Sequence, residues 1–444
     1  MKRSLHVVTV TVAAATTLGL SAGTSYSESP GKVVVAEPNS TVDYTGTLSV
    51  LTKFGLQQLS PYFVNLAQEY EKLHPGVKVE LIQESDDSVK GKTKTLVASN
   101  SLTDVYFSWT GSWGGNFVRG KRAVDLSKVI GPESDWGKTL VPAAVEAFQY
   151  NGKDYGIPLY LDAKFMGYNK QIFAKLGLSV PTSYEQLLAS CDTLRKAGIT
   201  PITLGNKEAW PAIHYVGQLL AYDVPRASLE RDFDPKKATF ADAGYVEALK
   251  QFKQLADRCT DGATMNGESY ASAFQAFGNA KSAMYYQEII EFDQSASTDT
   301  VLKQADFGFF TLPVPEGAKG DPKAIEGAPE GYMINSTSKH VPLAIDFMKF
   351  VTSKENGQVL SAPPYGQPSA TIGGASETNM SPAVVEGLKV LKSASYLMPW
   401  LDTANSPRVA AAWLSSLQAL ADGSMSPEQV MDQVKQASAA DSKK

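Results

Sequence analysis

Residues Asn151 to Cys191 read NGKDYGIPLYLDAKFMGYNKQIFAKLGLSVPTSYEQLLASC, and the order of turn, strand and helix signals along this stretch decides the fold class. Asn151-Gly152 is a turn dipeptide, Tyr155 to Tyr160 is a short apolar run broken by Pro158, and Lys164 to Asn169 is a second extended run. Between the runs, Tyr160-Leu161-Asp162-Ala163-Lys164 reads as an aromatic-bearing turn. A helix is predicted from Lys170. Another starts at Pro181-Thr182-Ser183-Tyr184-Glu185-Gln186, where a hydroxyl and an acid or amide three residues later satisfy orphan helix N–H groups from both sides. Leu187, Leu188, Cys191 and Leu194 then share one face, and Gly198 stops the helix.

Upstream, Gly46 to Leu51 alternates like a strand, and Ser60-Pro61 opens a helix whose Phe63, Leu66, Ala67, Tyr70 and Leu73 share a face. Val77, Val79 and Leu81 mark a second strand, Lys92 to Ser99 a helix, and Asp104 to Phe107 a third strand. This β-α-β-α-β order calls for parallel strands with right-handed crossovers. Downstream, Ile199 to Leu204 reads as a strand. Tyr245, Leu249, Phe252 and Leu255 lie on one face of a helix ending before Cys259. A helix Pro342 to Ser353 carries Ala344, Phe347, Met348 and Val351 on one side, and Ser426-Pro427-Glu428 starts a helix leading to Val430, Met431 and Val434.

Several of these segments, in this order, resemble the extracellular solute-binding proteins of ABC importers, within them the sugar-binding branch that includes maltose-binding protein. The resemblance is carried by Gly152-Lys153-x-Tyr155-Gly156-Ile157-Pro158, by Gly167-Tyr168-Asn169-Lys170-x-x-Phe173-x-x-Leu176-Gly177-Leu178, and by Pro181-Thr182-Ser183-Tyr184-Glu185-Gln186-Leu187. Glu71-Lys72-x-His74-Pro75-Gly76-Val77-x-Val79, Thr103-Asp104-Val105 and Lys281-Ser282-Ala283-Met284 extend it over nearly the whole chain beyond the N-terminus. Asp306 to Pro315 resembles the family's return strand to the first lobe. The resemblance implies an α/β, two-lobed periplasmic-binding-protein-like fold with a ligand cleft between the lobes. One lobe is expected from residues 46–156 and 310–362, the other from 157–309 and 363–436.

The bounds agree with that expectation. The chain of 444 residues is 43% hydrophobic and 20% charged, enough for two or three domains, and its formal net charge of −5 excludes the basic balance of a nucleic-acid binder. Met1-Lys2-Arg3, an apolar run from Val7 to Leu20 and Ser21-Ala22-Gly23 read as a signal peptide over 1–23, and hence an exported protein. Residues 24–45 lack periodicity and read as a flexible tether, and 437–444 as a solvated tail. Leu20-Ser21-Ala22-Gly23-Thr24 has the setting of a lipid-anchor site without its cysteine. The two thiols, Cys191 and Cys259, are spaced in a way that leaves a disulfide open.

A pyranose has an apolar C–H face and a polar rim, so a sugar site needs flat aromatic platforms with hydrogen-bonding groups around them. Trp109 and Trp113 sit in a Gly-rich loop after a strand end, where open α/β sheets place ligand crevices. Sugar-binding relatives have an aromatic that contacts ligand at the Trp109 position. Tyr160 is expected to face the cleft, with Asp162 and Lys164 at the cleft lip or in the inter-lobe connection, Asp162 accepting from sugar hydroxyls or standing as an ordinary solvated acid. Trp210 matches a family tryptophan that packs beneath the site. Around Tyr285 to Ile290 relatives carry Gly two residues before a Trp platform where this chain has Glu288 and Ile290; Tyr286 is a candidate contact in this run, and Glu288 a hydrogen-bonding replacement for stacking. Glu330 with Tyr332, and Trp400 with Asp402, are further aromatic and acid pairs, and each reads equally as packed aromatic and surface acid.

Catalytic signatures do not survive their context. Gly19-Leu20-Ser21-Ala22-Gly23 has a nucleophile-elbow pattern but lies in the signal segment. Gly115 to Lys121 has phosphate-loop spacing, yet Arg122 stands where a Ser or Thr must hold magnesium. The four His are isolated, so neither a metal site nor a cofactor is expected. Asp162 with Glu288 is the pair a glycoside hydrolase would use. The expected function is capture of an oligosaccharide by a monomeric carrier that closes about a hinge and delivers it to importer permease subunits.

Overall fold

The computed structural model describes residues 33–442; the predicted signal segment lies outside them. The β-α-β-α-β unit forms as patterned. Strand Gly46–Thr52 is paired in parallel on one side with Val77–Gln83, Leu48 opposite Val79, and on the other with Val105–Ser108, Val50 opposite Val105. Helix Ser60–Leu73 lays Tyr62, Phe63, Leu66, Ala67 and Tyr70 on this sheet, while Leu73 turns outward at 62% exposure. The next helix, Asp86–Ala98, starts well before Lys92, because Ser85 and Ser88 cap it reciprocally.

Three further expectations change. The Gly-rich run after Trp109 is no loop but the start of helix Gly111–Arg119. Residues 33–45 are no free tether, because Ala36 is buried, Val35 bridges to Asp125 and Tyr44 stacks on His74 with ring centres 3.9 Å apart. The expected tail is helical as far as Asp441: helix Pro427–Asp441 buries Ser438, and Arg408 pairs with Asp441 at 3.1 Å.

The opening stretch holds the largest correction. Gly156–Asn169 is one unbroken strand, and no turn interrupts it at Asp162. Its first half pairs antiparallel with Ile325–Ile334, Ala163 opposite Gly327. Its second half pairs with Ser282–Glu288, Lys164 opposite Glu288, and with Phe307–Phe310. Pro158 lacks an N–H for the ladder, and the register shifts between Glu330 and Gly331 where it passes. Gly331 fits there because a Cβ would stand 2.1 Å from the Ile157 carbonyl oxygen. The strand that carries the chain back beside Val105–Ser108 is Ile325–Ile334, not the Asp306 to Pro315 segment.

Among the described residues nine strands thus form one mixed sheet, flanked by two hydrophobic cores. The first gathers Leu48, Val50, Phe63, Tyr70 and Phe107 under helix Val341–Val351. It also takes in Phe277, Tyr285, Phe292 and Phe307, so apolar packing crosses the expected lobe boundary. The second lies among helices Tyr184–Lys196, Trp210–Asp223, Gly244–Cys259 and Pro407–Ala421, with Leu187, Ile213, Phe252 and Trp413 at its centre. Ser183 caps the first of these helices, and Cys191 and Cys259 join it to the third in a disulfide, Cα atoms 5.1 Å apart.

Candidate functional site

A narrow chamber opens at the ends of strands, between side chains carried by elements of both cores. Asp86 and Lys90 reach it from helix Asp86–Ala98, Trp109 from the residue after strand Val105–Ser108, and Glu330 from Ile325–Ile334. Facing them are Trp210 and His214 on helix Trp210–Asp223, Glu288 at the end of Ser282–Glu288, and Trp400 with Asp402. The walls approach closely at Gly111, whose φ of 69° favours glycine and where a Cβ would stand 2.9 Å from the Ala404 Cα.

Behind the walls lies a buried charge network. Strand alternation puts Tyr160, Asp162 and Lys164 on one face of the long strand, and all three are buried. Tyr160 donates its hydroxyl to Glu330 at 2.7 Å. Lys53, just past the first strand and 3% exposed, pairs with Glu330 at 2.6 Å and Asp86 at 2.8 Å. Burial alone would push its ammonium down, but Asp86 and Glu330 outweigh that and hold it well above the usual lysine range. Lys164 pairs with Glu288 at 3.1 Å. Burial works to raise Glu288, and Lys164 and Lys53 reverse the outcome, so Glu288 stays ionised.

Asp162 has no such partner. One oxygen accepts from the Ala163 N–H at 2.7 Å, the other meets no donor, and burial followed by the charges of Glu288 and Glu330 drives the carboxyl well up. It is a buried carboxyl behind the chamber wall, not the solvated turn acid at a lip. His214 is neutral, pushed well down by burial and then by Lys164, Lys90 and Lys53. Burial also pushes Glu326 well above the carboxylate range, and its Oε1 lies 3.1 Å from His214 Nδ1, within hydrogen-bond reach.

Two contacts cross the chamber. Trp210 donates from its indole nitrogen to Asp87 at 3.1 Å, and Lys90 pairs with Asp402. The Lys90 ammonium lies 4.7 Å from the centre of the Trp109 ring, and that of Lys164 5.4 Å from Trp210. Trp400 is 2% exposed, edge-on to His214 at 5.0 Å, and its indole N–H has no partner within the protein.

Of the residues nominated from sequence, Trp109, Glu288, Glu330, Trp400 and Asp402 line the chamber, and Tyr160, Asp162 and Lys164 lie behind it. Trp113 stands outside it, edge-on to Trp109 at 5.5 Å. Tyr286 and Tyr332 are not brought to the chamber. Tyr286 packs on Tyr215 in the second core, and Tyr332 on Phe63 and Phe107 in the first. Trp210, assigned a supporting role, is on the wall itself. Lys53, Asp86, Asp87, Lys90 and His214 were missed. A signal existed for the first four: each follows the carboxyl end of a parallel strand, where such sheets place their ligands.

A sheet threading two cores, with a polar and aromatic chamber at its strand ends, defines a cleft-type binding protein. The chain belongs to the bacterial extracellular solute-binding protein family, whose model matches residues 56–358. It is 24% identical over 294 residues to the multiple sugar-binding protein of Streptococcus mutans, covering 65% of this chain and 67% of that one. Against the diacetylchitobiose binding protein DasA of Streptomyces coelicolor it is 24% identical over 296 residues, 65% of each chain. Both alignments span about two thirds of the relative's length. Among solved structures, one from work on xylan utilization by Caldanaerobius polysaccharolyticus superposes with a TM-score of 0.82 at 22% identity, covering 88% of this chain and 99% of that one. A chitin oligosaccharide binding protein gives 0.81 at 18%, covering 90% and 100%. These structural likenesses establish the two-lobed fold. No helix among the described residues is long and apolar enough to cross a membrane.

Proposed function

We propose that this protein captures a carbohydrate, an oligosaccharide in particular, in the chamber and delivers it to the permease subunits of an ABC importer. The observation that carries the reading is Trp400: a buried indole donor with no protein partner, on a wall shared with two other tryptophans and four carboxylates. A buried N–H left unpaired is costly, and a sugar oxygen would satisfy it. Trp109 and Trp210 offer flat faces, and Asp86, Glu288, Glu330 and Asp402 accept from hydroxyls. The same carboxylates disfavour a phosphate ligand. The sugar and diacetylchitobiose specificities named for the relatives point the same way.

Residues 46–156 with 310–362 form one lobe and 157–309 with 363–436 the other, and the protein works as an exported monomer. The long strands Gly156–Asn169 and Ile325–Ile334 serve as the hinge, since each pairs with partners on both sides. A ligand shifts such an equilibrium only by touching both walls, which the Trp210–Asp87 and Lys90–Asp402 contacts already bridge. The role is carriage and not turnover. Glu288 is tied to Lys164 and Asp162 is sealed beneath the wall, so neither is poised across a glycosidic bond. A thermal-shift screen over malto-, xylo-, cello- and chito-oligosaccharides, with chromatography of the incubated sugars, tests this. The expected outcome is a raised melting temperature with at least one sugar and no product. Product formation, or no shift with any sugar, would count against it.

A further inference from the structure

The Lys90–Asp402 ion pair borders two cavities. Beyond it, away from the chamber, a groove runs between helices Asp86–Ala98 and Gly111–Arg119 on one side and helix Pro407–Ala421 on the other. Its walls are apolar, with Val97, Trp113 and Phe117 facing Pro407, Ala410 and Leu414. Several polar side chains on these walls are engaged already, while the buried Trp113 indole N–H has no partner within the protein. Thr93 donates to the Val89 carbonyl at 2.8 Å, Asn405 to that of Leu401 at 2.8 Å and Arg122 to Asn100 at 3.3 Å, while Asn116 accepts from Arg119.

The two cavities therefore differ in what they offer a ligand. Further pyranose rings in the groove would set most of their hydroxyls against apolar wall, which is unfavourable, and the one unpartnered indole donor, that of Trp113, is met by a single oxygen such as a phenolic substituent carries. The aromatic ring itself needs no polar partner. Aromatic contact also continues from one cavity to the other, for Trp113 is edge-on to Trp109 at 5.5 Å and to Phe117 at 5.9 Å.

We infer that the groove is a second binding site, taking an aryl aglycone or phenolic substituent whose sugar occupies the chamber, so that the transported solute is an aryl-bearing glycoside. The inference rests on the carbohydrate reading of the chamber and on the continuity of the groove with it. Lys90 and Asp402, at the junction, stand where the glycosidic link passes. Burial of a phenyl-sized ring against these walls predicts a gain in affinity of tenfold or more over the same sugar without it.

The test is calorimetric titration of the full chain with matched methyl and 4-nitrophenyl glycosides of xylobiose, cellobiose, maltose and diacetylchitobiose. In at least one pair the aryl member is expected to bind tenfold or more tightly. Ala411→Trp, at an exposed helix position on the groove wall, should bring that ratio close to one. Asn116→Trp, from the opposite wall, should do the same and does not depend on how Ala411 tolerates replacement. Equal affinities within every pair that binds, or a ratio unchanged in both variants, would overturn the inference while leaving the chamber a sugar site. Binding of no glycoside at all would overturn both.

Discussion

The cleft floor and the disulfide-pinned core are buried to the same extent and filled with opposite chemistry. In the core, Cys191, Leu194, Phe252 and Leu255 are all fully buried and need no partner beyond shape. In the floor, Lys53, Asp162, Lys164 and Glu330 are 3%, 0%, 2% and 1% exposed; the Lys53 and Lys164 charges persist because carboxylates lie within reach, while Asp162 meets only a backbone N–H. Replacing such pairs by apolar side chains is often neutral or stabilising, so the floor is a poor way to gain stability and a good way to fix the positions of wall groups. The difference separates what holds this fold together from what prepares it to bind.

Substitutions that break this contrast should differ in kind. Lys53→Met strands Asp86 and Glu330, and is expected to lower unfolding free energy by about 3–5 kcal/mol in urea titration and to abolish sugar binding as well. Joint replacement of Cys191 and Cys259 by alanine releases a closure spanning 68 residues and should lower stability by about 2–4 kcal/mol, with sugar affinity unchanged. If binding falls as steeply as stability there, the core is not independent of the floor. Trp400→Phe keeps a ring against His214 but removes the unpaired donor, so affinity should fall about fivefold to tenfold while the empty protein melts no earlier.

The smallest effect concerns pH. Burial, then the charge of Glu288, raises Glu291 to about 7. The folded protein keeps this proton between the ordinary carboxylate pKa, about 4.3, and 7, whereas the unfolded chain releases it. Stability therefore falls as pH rises through that window. Glu291→Gln, neutral throughout, should flatten the slope of melting temperature against pH between 5 and 7. An unchanged slope would mean that Glu291 does not hold the proton.

Much of the core was legible in the sequence because it is local and periodic. The capped helix Tyr184–Lys196, with Leu187, Leu188, Cys191 and Leu194 on one face, follows from spacing alone. The floor was legible only in part. Asp162 and Lys164 interrupt an apolar run, and local rules read them as a turn. They lie in a strand because Glu288 and the Ile325–Ile334 strand, far along the chain, complete their surroundings. Lys53 is buried by partners in Asp86 and Glu330 that no window around it contains. Tyr286 and Tyr332 were nominated for their neighbours Glu288 and Glu330, and packing in the two cores claimed their rings instead.

The central claim is that the chamber holds a sugar through the unpartnered Trp400 indole donor together with the Trp109 and Trp210 rings and the wall carboxylates. Calorimetric titration of the wild type and of Trp400→Phe with the oligosaccharide that most raises the melting temperature tests it most directly. The prediction is saturable binding by the wild type and a fivefold to tenfold loss in the variant. Equal affinity in the two proteins, or no binding of any neutral oligosaccharide at millimolar concentration, would contradict it.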